Sequence, residues 1–474
     1  MKNADKKVCL ISLGCPKNLV SAELMLGSLK QEGFLFTTTP EEAEVIVVNT
    51  CGFIEASKRE SIDKLLEAAR YKESGNCRVL VASGCLTQRY SQELAQEMPE
   101  VDLFVGLSEF DKLPEFLRGK FDAPQTLSSI QVGERILPEE SSRRRLSEFS
   151  PLRQILPDPD RPRVLATPKH FSYLKISEGC SHRCSFCVIP HIRGDLKSRT
   201  PASILHEVEQ WVERGVREFN LIAQDLNEYG KDLRDGSNLA GLLQALNALP
   251  GDFWLRPLYL YPLEFSDSLI GVLRDSEKVV KYIDMPLQHI SDRILRSMKR
   301  GSPGRYVRQV LAKLKQAMPE AALRTTFIVG YPGETDAEFA ELCDFVQEIE
   351  FDRVGVFTYS QEEGTPAATL PDAVPDPVKQ ERLARLMEIQ QAVSLKKNQA
   401  LLGRRFRVLV DGPSEESELV YQGRLYSQAP EIDGVTYLSG DAAHPGEFLE
   451  VEITQATEYD LVGELVPGGN RSLP

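Results

Sequence analysis

Runs of apolar residues alternate with helical spacing through the N-terminal quarter of the chain. Three of these runs, 8–13, 45–48 and 79–82, are short and almost continuously apolar, which predicts buried strands. Helical spacing follows the first two runs, at 18–29 and 54–71. Fully apolar strands that alternate with helices are typical of a parallel sheet between two helical layers, so we expect a three-layer α/β domain here.

The same alternation resumes near residue 171. Six strands are predicted at 172–176, 218–223, 254–260, 279–284, 323–329 and 353–358. Helices are predicted between them, one beginning at Pro201 and others at about 238–248, 266–275, 304–317 and 335–348. Six strand–helix units are fewer than the eight of a complete barrel, so the pattern predicts a partial (βα)6 barrel.

Between these two regions, the segment from 120 to 168 lacks periodicity and contains seven prolines and the basic run 143–145. Such a composition predicts a linker that is poorly ordered in part, with the basic run solvated.

After a predicted helix at 377–402, the pattern changes to short alternating strands with Gly and Pro turns. The five strands are predicted at 405–410, 419–426, 435–438, 448–453 and 460–466. They predict a small β-barrel of oligonucleotide-binding size. We therefore expect four segments: an N-terminal domain, a linker, a barrel core and a C-terminal β-barrel, at 1–120, 121–166, 167–400 and 401–470.

The charge balance is acidic, with 56 Lys and Arg against 70 Asp and Glu in 474 residues, a net charge of −14. Residues 401–474 carry five Arg, no Lys and thirteen Asp or Glu, a net charge of −8. This part of the chain would repel a phosphate backbone and attract a basic protein, so a nucleic-acid partner is not favoured.

The hydrophobic pattern and the cysteine content also indicate the cellular location of the protein. The sequence has neither an apolar run of about 18 residues nor the pattern of a signal peptide. The nine cysteines are an odd number and form no dense disulfide framework, which favours a reduced, cytoplasmic protein with metal-binding thiols and no membrane association.

Three cysteines, Cys180, Cys184 and Cys187, lie within eight residues directly after the predicted strand 172–176. A closed zinc or iron–sulfur site usually has four protein ligands, so three thiols indicate a cluster with one iron left open. A zinc site remains an alternative, because His182 or His191 could supply the fourth ligand.

A second set of thiols follows the three N-terminal strands. Cys15, Cys51 and Cys85 each lie just beyond the carboxyl end of a predicted strand, 36 and 34 residues apart. Ligands of open parallel sheets bind at that edge, so the three thiols are expected to converge on a second site with an open position. The alternative is that these are ordinary buried cysteines.

Several polar residues follow the strands of the predicted barrel, where barrel enzymes bind their ligands. Asp225, Gln288 and Glu334 are candidate nucleoside or substrate contacts, but each is equally an ordinary rim or turn residue. The Gly-Tyr-Pro-Gly turn at 330–333 is a weak signal by itself. No side chain is assigned as a general base.

The motif Cys180-x-x-x-Cys184-x-Phe186-Cys187 resembles the signature of radical S-adenosylmethionine (SAM) enzymes. The resemblance implies a 4Fe-4S cluster on these cysteines, with SAM bound to the open iron. The whole layout is similar to the methylthiotransferase branch of that superfamily, which implies a second 4Fe-4S cluster on Cys15, Cys51 and Cys85 and a C-terminal TRAM-type β-barrel.

Several short stretches of the sequence resemble those of the subgroup that modifies ribosomal protein S12. The matching stretches are 13–19, 49–54, 175–180, 189–194 and 221–225. At the first cysteine the chain reads Cys-Pro-Lys-Asn, whereas the subgroup that modifies tRNA usually reads Cys-Gln-Met-Asn. One departure is Ser-Ala-Glu at 21–23, where the S12 subgroup commonly has Asp-Ser-Glu.

This resemblance implies a transferase that places a methylthio group on the β-carbon of an aspartate in S12, free or in the small ribosomal subunit. SAM cleavage at one cluster would give a 5′-deoxyadenosyl radical, and the other cluster would provide sulfur, with a second SAM giving the methyl group. Further implied partners are a flavodoxin or ferredoxin as electron donor and a sulfur source. The alternatives are methylthiolation of a tRNA adenosine and a non-catalytic metal-binding protein that interacts through its terminal barrel.

Overall fold

The computed structural model describes residues 6–122, 129–132, 135–138, 154–263, 265–414, 417–439 and 443–466. In the N-terminal region the strands are β1 (Lys7–Ser12), β2 (Leu35–Phe36), β3 (Val45–Thr50), β4 (Val79–Gly84), β5 (Leu103–Val105), β6 (Ser129–Val132) and β7 (Arg135–Pro138). The helices are α1 (Pro16–Gln31), α2 (Glu55–Ala69), α3 (Tyr71–Ser74), α4 (Cys85–Glu97) and α5 (Leu113–Asp122).

These strands form one seven-stranded sheet in the order β2-β1-β3-β4-β5-β6-β7. All neighbouring pairs are parallel except β6 and β7. Every residue of β3 and β4 is buried, because helices cover both faces of the sheet. The predicted three-layer α/β domain is confirmed.

The central region contains the six predicted parallel strands. They are β8 (Phe171–Lys175), β11 (Glu218–Ile222), β12 (Trp254–Pro257), β13 (Tyr282–Asp284), β14 (Ala322–Val329) and β15 (Arg353–Thr358), and β9 (Ser177–Glu178) pairs with β10 (Lys197–Ser198) beside them. The helices are α6 (Ile189–Arg193), α7 (Pro201–Glu213), α8 (Leu239–Asn247), α9 (Asp267–Asp275), α10 (Asp292–Ser297), α11 (Gly304–Ala317) and α12 (Asp336–Ile349).

Two three-stranded parallel sheets, β8-β11-β12 and β13-β14-β15, make up this partial barrel. A parallel bridge between Leu255 and Val279 joins them. Alternate strand residues face the outer helices, where they form a large apolar core, and the others face the barrel interior. The predicted partial (βα)6 barrel is confirmed.

The C-terminal region begins with α13 (Asp376–Gln399) and continues as a closed five-stranded barrel in the order β16-β17-β18-β20-β19. Its strands are β16 (Arg405–Ser414), β17 (Ser417–Leu425), β18 (Thr436–Ser439), β19 (Phe448–Ala456) and β20 (Leu461–Leu465). Because the barrel is closed, its strands have no unpaired edge. The predicted β-barrel is therefore confirmed as well. Among the described residues, no helix combines the length and apolar character of a membrane span.

The segment predicted as a linker holds more structure than its composition indicates. Strands β6 and β7 extend the N-terminal sheet within it. Further along, the buried Arg163 guanidinium pairs at 2.5 Å with Glu23 of α1 and with Glu207 of α7. This ion-pair network ties the N-terminal domain to the barrel, an arrangement that local periodicity does not indicate. The basic run 143–145 lies outside the described residues.

The small β-barrel packs against the amino ends of the central strands through buried charges. Glu218 of β11 pairs at 2.8 Å with Arg256 of β12 and also pairs with Arg424 of the small barrel. Tyr173 and Tyr282 donate hydrogen bonds of 2.6 Å to carboxylates of the small barrel, Glu431 and Asp433 respectively. The C-terminal barrel therefore closes the end of the central barrel opposite to the predicted site.

The substitution Glu218→Gln is expected to lower the free energy of unfolding by about 3–5 kcal/mol, because it leaves two buried guanidiniums without their shared counter-charge. Denaturant unfolding followed by the fluorescence of Trp254, which packs on Phe448 at this interface, measures the change. The exposed pair Arg405–Glu452 provides the control, since Glu452→Gln should cost about 0–1 kcal/mol.

Acid should narrow the difference in the free energy of unfolding between Glu218→Gln and the wild type. Although burial opposes it, Arg424 and Arg256 hold the pKa of Glu218 below its ordinary value. A carboxyl group with a depressed native pKa stabilises the fold fully above its unfolded pKa, about 4.3, and loses that contribution as the pH falls below it. A difference that stays constant from neutral pH to well below pH 4 would contradict this assignment.

Candidate metal centres

The first set of thiols lies in the loop that leaves β8 and β9, at the carboxyl end of the barrel strands. The Cys180 N–H donates to the Gly194 carbonyl at 2.9 Å, and the Cys187 N–H donates to the Cys184 carbonyl at 3.1 Å. These bonds fold the loop that carries Cys180, Cys184 and Cys187 back on itself. We call these three cysteines the barrel trio.

Burial, together with the neighbouring Cys184, raises the pKa of Cys180 to about 11 and that of Cys187 to about 12. Protein groups alone therefore keep Cys180 and Cys187 protonated at neutral pH. Metal ligation requires thiolates, and a bound cation supplies the positive charge that stabilises them. The donor set thus fits a cationic cluster that has one iron not bound by the protein.

The second set lies at the carboxyl edge of the N-terminal sheet, as predicted. Cys15 is the N-cap of α1, Cys51 follows β3, and Cys85 begins α4. Gly14 has φ +86°, and a Cβ there would lie 3.0 Å from the Cys51 sulfur, so only glycine allows these two turns to approach so closely. We call Cys15, Cys51 and Cys85 the sheet trio.

The three thiols of the sheet trio differ in acidity. Burial raises the pKa of Cys85 to about 11 and also raises that of Cys51. Burial opposes ionisation of Cys15 as well, but Lys17, Arg193 and backbone N–H groups at the start of α1 lower its pKa below the ordinary value. The sheet trio therefore has one thiol, Cys15, that ionises more readily than an ordinary cysteine, because neighbouring positive charges stabilise its thiolate.

Arg193 of α6 reaches the sheet trio from the barrel. Its guanidinium donates hydrogen bonds to the Cys85 sulfur at 3.1 Å and to both carboxylate oxygens of Glu178 at 3.0 Å. Glu178 precedes Cys180 by two residues and also accepts hydrogen bonds of 2.8 Å from Lys175 and Gln224. A buried network thus runs from Glu178, at the start of the loop that carries the barrel trio, to Cys85 of the sheet trio.

Sequence reasoning missed these network residues. Arg193 and Glu178 lie inside stretches that resemble the S12 subgroup, but hydrophobic spacing does not show that either side chain is buried. Lys17 was missed for the same reason; its ammonium lies 3.2 Å from the centre of the Tyr259 ring, between the N-terminal domain and the barrel. The signal that could have indicated them is a charged residue within six positions of a motif cysteine.

The predicted rim residues have different environments. Asp225 lies beside the barrel trio, where it accepts a 2.8 Å hydrogen bond from His182, whose ring stacks on Tyr261 at 4.2 Å. His182, Asp225 and Glu228 also bring three potential ligand atoms within 4.8 Å of one another. The hydrogen bond to Asp225 occupies one ring nitrogen of His182. His182 is one of the two histidines that could complete a zinc site on the barrel trio.

The other two rim residues have backbone or turn contacts. Gln288 has φ +72° and forms a parallel bridge with Phe327 through its backbone. The Glu334 carboxylate accepts the Gly330 N–H at 2.9 Å and pairs with Arg382 at 2.8 Å, so it holds the Gly-Tyr-Pro-Gly turn in place. Among the three rim candidates, Asp225 contacts the loop of the barrel trio directly, through its hydrogen bond with His182.

Family models match three parts of the chain: the uncharacterized protein family UPF0004 at residues 7–106, the radical SAM superfamily at 174–346 and the TRAM domain at 402–466. The fold is similar to the radical SAM methyltransferase TsrM from Kitasatospora setae, with a TM-score of 0.53, 14% identity and coverage of 82% of this chain and 89% of that chain. Fold and cysteine loop together define a radical SAM protein, for which SAM and at least one iron–sulfur cluster are implied.

Full-length relatives narrow this class. The chain is 48% identical to the ribosomal protein uS12 methylthiotransferase RimO of Syntrophotalea carbinolica, over 98% of this chain and 99% of that protein. It is 45% identical to the protein of the same name from Geobacter sulfurreducens, over 98% and 100%. The chain therefore belongs to the RimO family of ribosomal protein uS12 methylthiotransferases, which confirms the resemblance found in its sequence.

Proposed function

We propose that this chain transfers a methylthio group to the β-carbon of an aspartate in ribosomal protein uS12. Membership of the RimO family makes it a radical SAM methylthiotransferase of uS12. The observation that carries the finer proposal is the arrangement of two three-thiol sets on two docked domains, with Arg193 of the barrel bonded to Cys85 of the sheet trio. Two such sets suit a reaction in which one centre activates carbon and the other delivers sulfur.

In this proposal each trio holds one 4Fe-4S cluster, and the barrel trio's cluster also binds SAM. When bound, these groups supply a carbon radical, the sulfur atom and the methyl group. The protein provides thiolate ligands, fixes the distance between the two sites and limits access of water. Asp225 and His182, beside the barrel trio, are proposed to contact SAM, whereas no side chain acts as a general base.

The proposed partners follow from charge and chemistry. The acidic C-terminal barrel suits a basic ribosomal protein better than a tRNA backbone, so uS12, alone or in the small ribosomal subunit, is the favoured substrate. A flavodoxin or ferredoxin is proposed as the electron donor, together with a sulfur source, in the cytoplasm. The division into segments 1–120, 121–166, 167–400 and 401–470 is likewise retained as a proposal.

The reconstituted enzyme, incubated anaerobically with reductant, SAM, a sulfide source and uS12, is expected to add one methylthio group to uS12. Fragmentation mass spectrometry should place it on an aspartate, and deuterium at that β-carbon should appear in 5′-deoxyadenosine. A uS12 variant with asparagine at the modified position is the matched control.

Purified tRNA, tested as a substrate under the same conditions, distinguishes the proposal from its main alternative, methylthiolation of a tRNA adenosine. Modification of tRNA without modification of uS12, or absence of any sulfur insertion by enzyme with full iron content, would contradict the proposal. Salt-sensitive tRNA binding would also be expected if tRNA were the substrate.

A further inference from the structure

Arg193 belongs to the barrel, but one end of its guanidinium contacts a thiol of the N-terminal domain. It lies at the end of α6, six residues after Cys187, and its side chain is only 2% exposed. One terminal nitrogen donates to the Cys85 sulfur and, at 3.4 Å, to the Asn18 side-chain oxygen. The other donates to both oxygens of Glu178.

The charge-assisted contact with Glu178 anchors one terminal nitrogen of the guanidinium, and the other terminal nitrogen faces the sheet trio. Glu178 is in turn held by Lys175, which is fully buried. The backbone carbonyl of Arg193 accepts a 2.7 Å hydrogen bond from Gln154, and the carbonyl of the next residue, Gly194, accepts the Cys180 N–H. Both the side chain and the backbone at this position are therefore fixed.

Burial disfavours a charged guanidinium, but Cys85, Glu178 and Cys15 raise the pKa of Arg193 well above its ordinary value. One carboxylate, Glu178, is shared by two buried cations, Arg193 and Lys175. These three side chains together carry one more positive than negative charge, and the guanidinium contacts a thiol of the sheet trio, which can balance it once ionised. The charge arrangement therefore favours a negatively charged centre at the sheet trio.

We propose that Arg193 is a positioning residue of the sheet trio, supplied by the neighbouring domain, and that its hydrogen bond to Cys85 raises the reduction potential of the cluster held there. This inference rests on the proposed second cluster. A hydrogen bond and a positive charge at a ligating sulfur stabilise the reduced, more negative cluster, and such outer contacts tune iron–sulfur potentials. The same contact makes that potential sensitive to docking of the two domains.

The test uses the full chain with Cys180, Cys184 and Cys187 replaced by alanine, so that only the sheet trio can hold iron. Arg193→Gln and Arg193→Lys are introduced into this parent and reconstituted. Iron and sulfide are counted, and the potential is measured by redox titration with electron paramagnetic resonance. We expect a shift to more negative potential in Arg193→Gln, partly reversed in Arg193→Lys, which keeps the charge but not the planar fork.

Arg183→Gln is the matched control, because Arg183 lies in the same loop but is 59% exposed and pairs with the exposed Asp195. It should leave the potential unchanged. An intact cluster with the parent's potential in Arg193→Gln would overturn the role of Arg193 alone. Should Arg193→Gln hold no iron, an unaltered potential and spectrum in Arg193→Lys would overturn it. A parent that holds no cluster would overturn the second cluster as well.

Discussion

Replacement of Cys180, Cys184 and Cys187 by alanine is expected to remove about half of the bound iron and all reductive cleavage of SAM. The barrel trio has one ligand too few to close a cluster, so its open position suits SAM, and no other described cysteine lies in this loop. The sheet trio lies on a different domain and keeps its three ligands. Anaerobic iron and sulfide counts, together with chromatographic assay of 5′-deoxyadenosine, measure both effects.

Cys77 and Cys343 provide matched controls for this experiment. Both are buried cysteines outside the two trios, and burial raises the pKa of each thiol, to about 11 for Cys77. Their alanine variants should keep full iron content and full SAM cleavage. Loss of none or all of the iron in the triple variant would contradict two separate centres.

Most of the fold follows from local sequence. The apolar runs at 45–48 and 79–82 predicted β3 and β4, and helix α11 lies where spacing predicted it, at 304–317. Convergence of the sheet trio was predictable because parallel strands place their carboxyl ends along one edge. Hydrophobic periodicity and turn positions depend on residues that are close together in the chain, so a single sequence is enough to indicate them.

What the sequence did not predict depends on contacts between distant segments. The five-residue helix α6 is too short to show a helical period, yet it carries Arg193 to Cys85, 108 residues away in sequence. Arg163, in the segment predicted as a linker, pairs with Glu23 from a residue separation of 140. Charged residues are normally exposed, so burial of these charges is evident only from their partners in the fold.

Contacts of this kind hold together the two domains that carry the trios. Glu178 and Arg193 flank the barrel trio in sequence and reach the sheet trio in space. Lys58 and Arg89 of the N-terminal domain meet Glu362 of the barrel at 3.2 and 2.8 Å, which adds a second link. Separation of the domains would therefore break both the Arg193–Cys85 contact and the ion pairs of Glu362.

Replacement of Cys15, Cys51 and Cys85 by alanine should have the complementary result: SAM cleavage persists, but uS12 gains no methylthio group. The barrel trio keeps its ligands, and the loop that holds it depends mainly on barrel contacts such as the hydrogen bond from Ser185 N–H to the Met298 carbonyl. We expect 5′-deoxyadenosine to form while methylthiolated uS12 falls to background, because the sulfur-bearing centre is absent.

This uncoupling distinguishes a sulfur-delivering centre from a structural one. If the sheet trio only stabilised the fold, its loss would lower SAM cleavage and thermal stability together, and no cleavage without transfer would be seen. Cys9→Ala is the control, since Cys9 is buried within β1 of the same sheet but lies before its carboxyl edge. That variant should keep both activities, and full methylthiolation by the triple variant would contradict a role of the sheet trio in sulfur transfer.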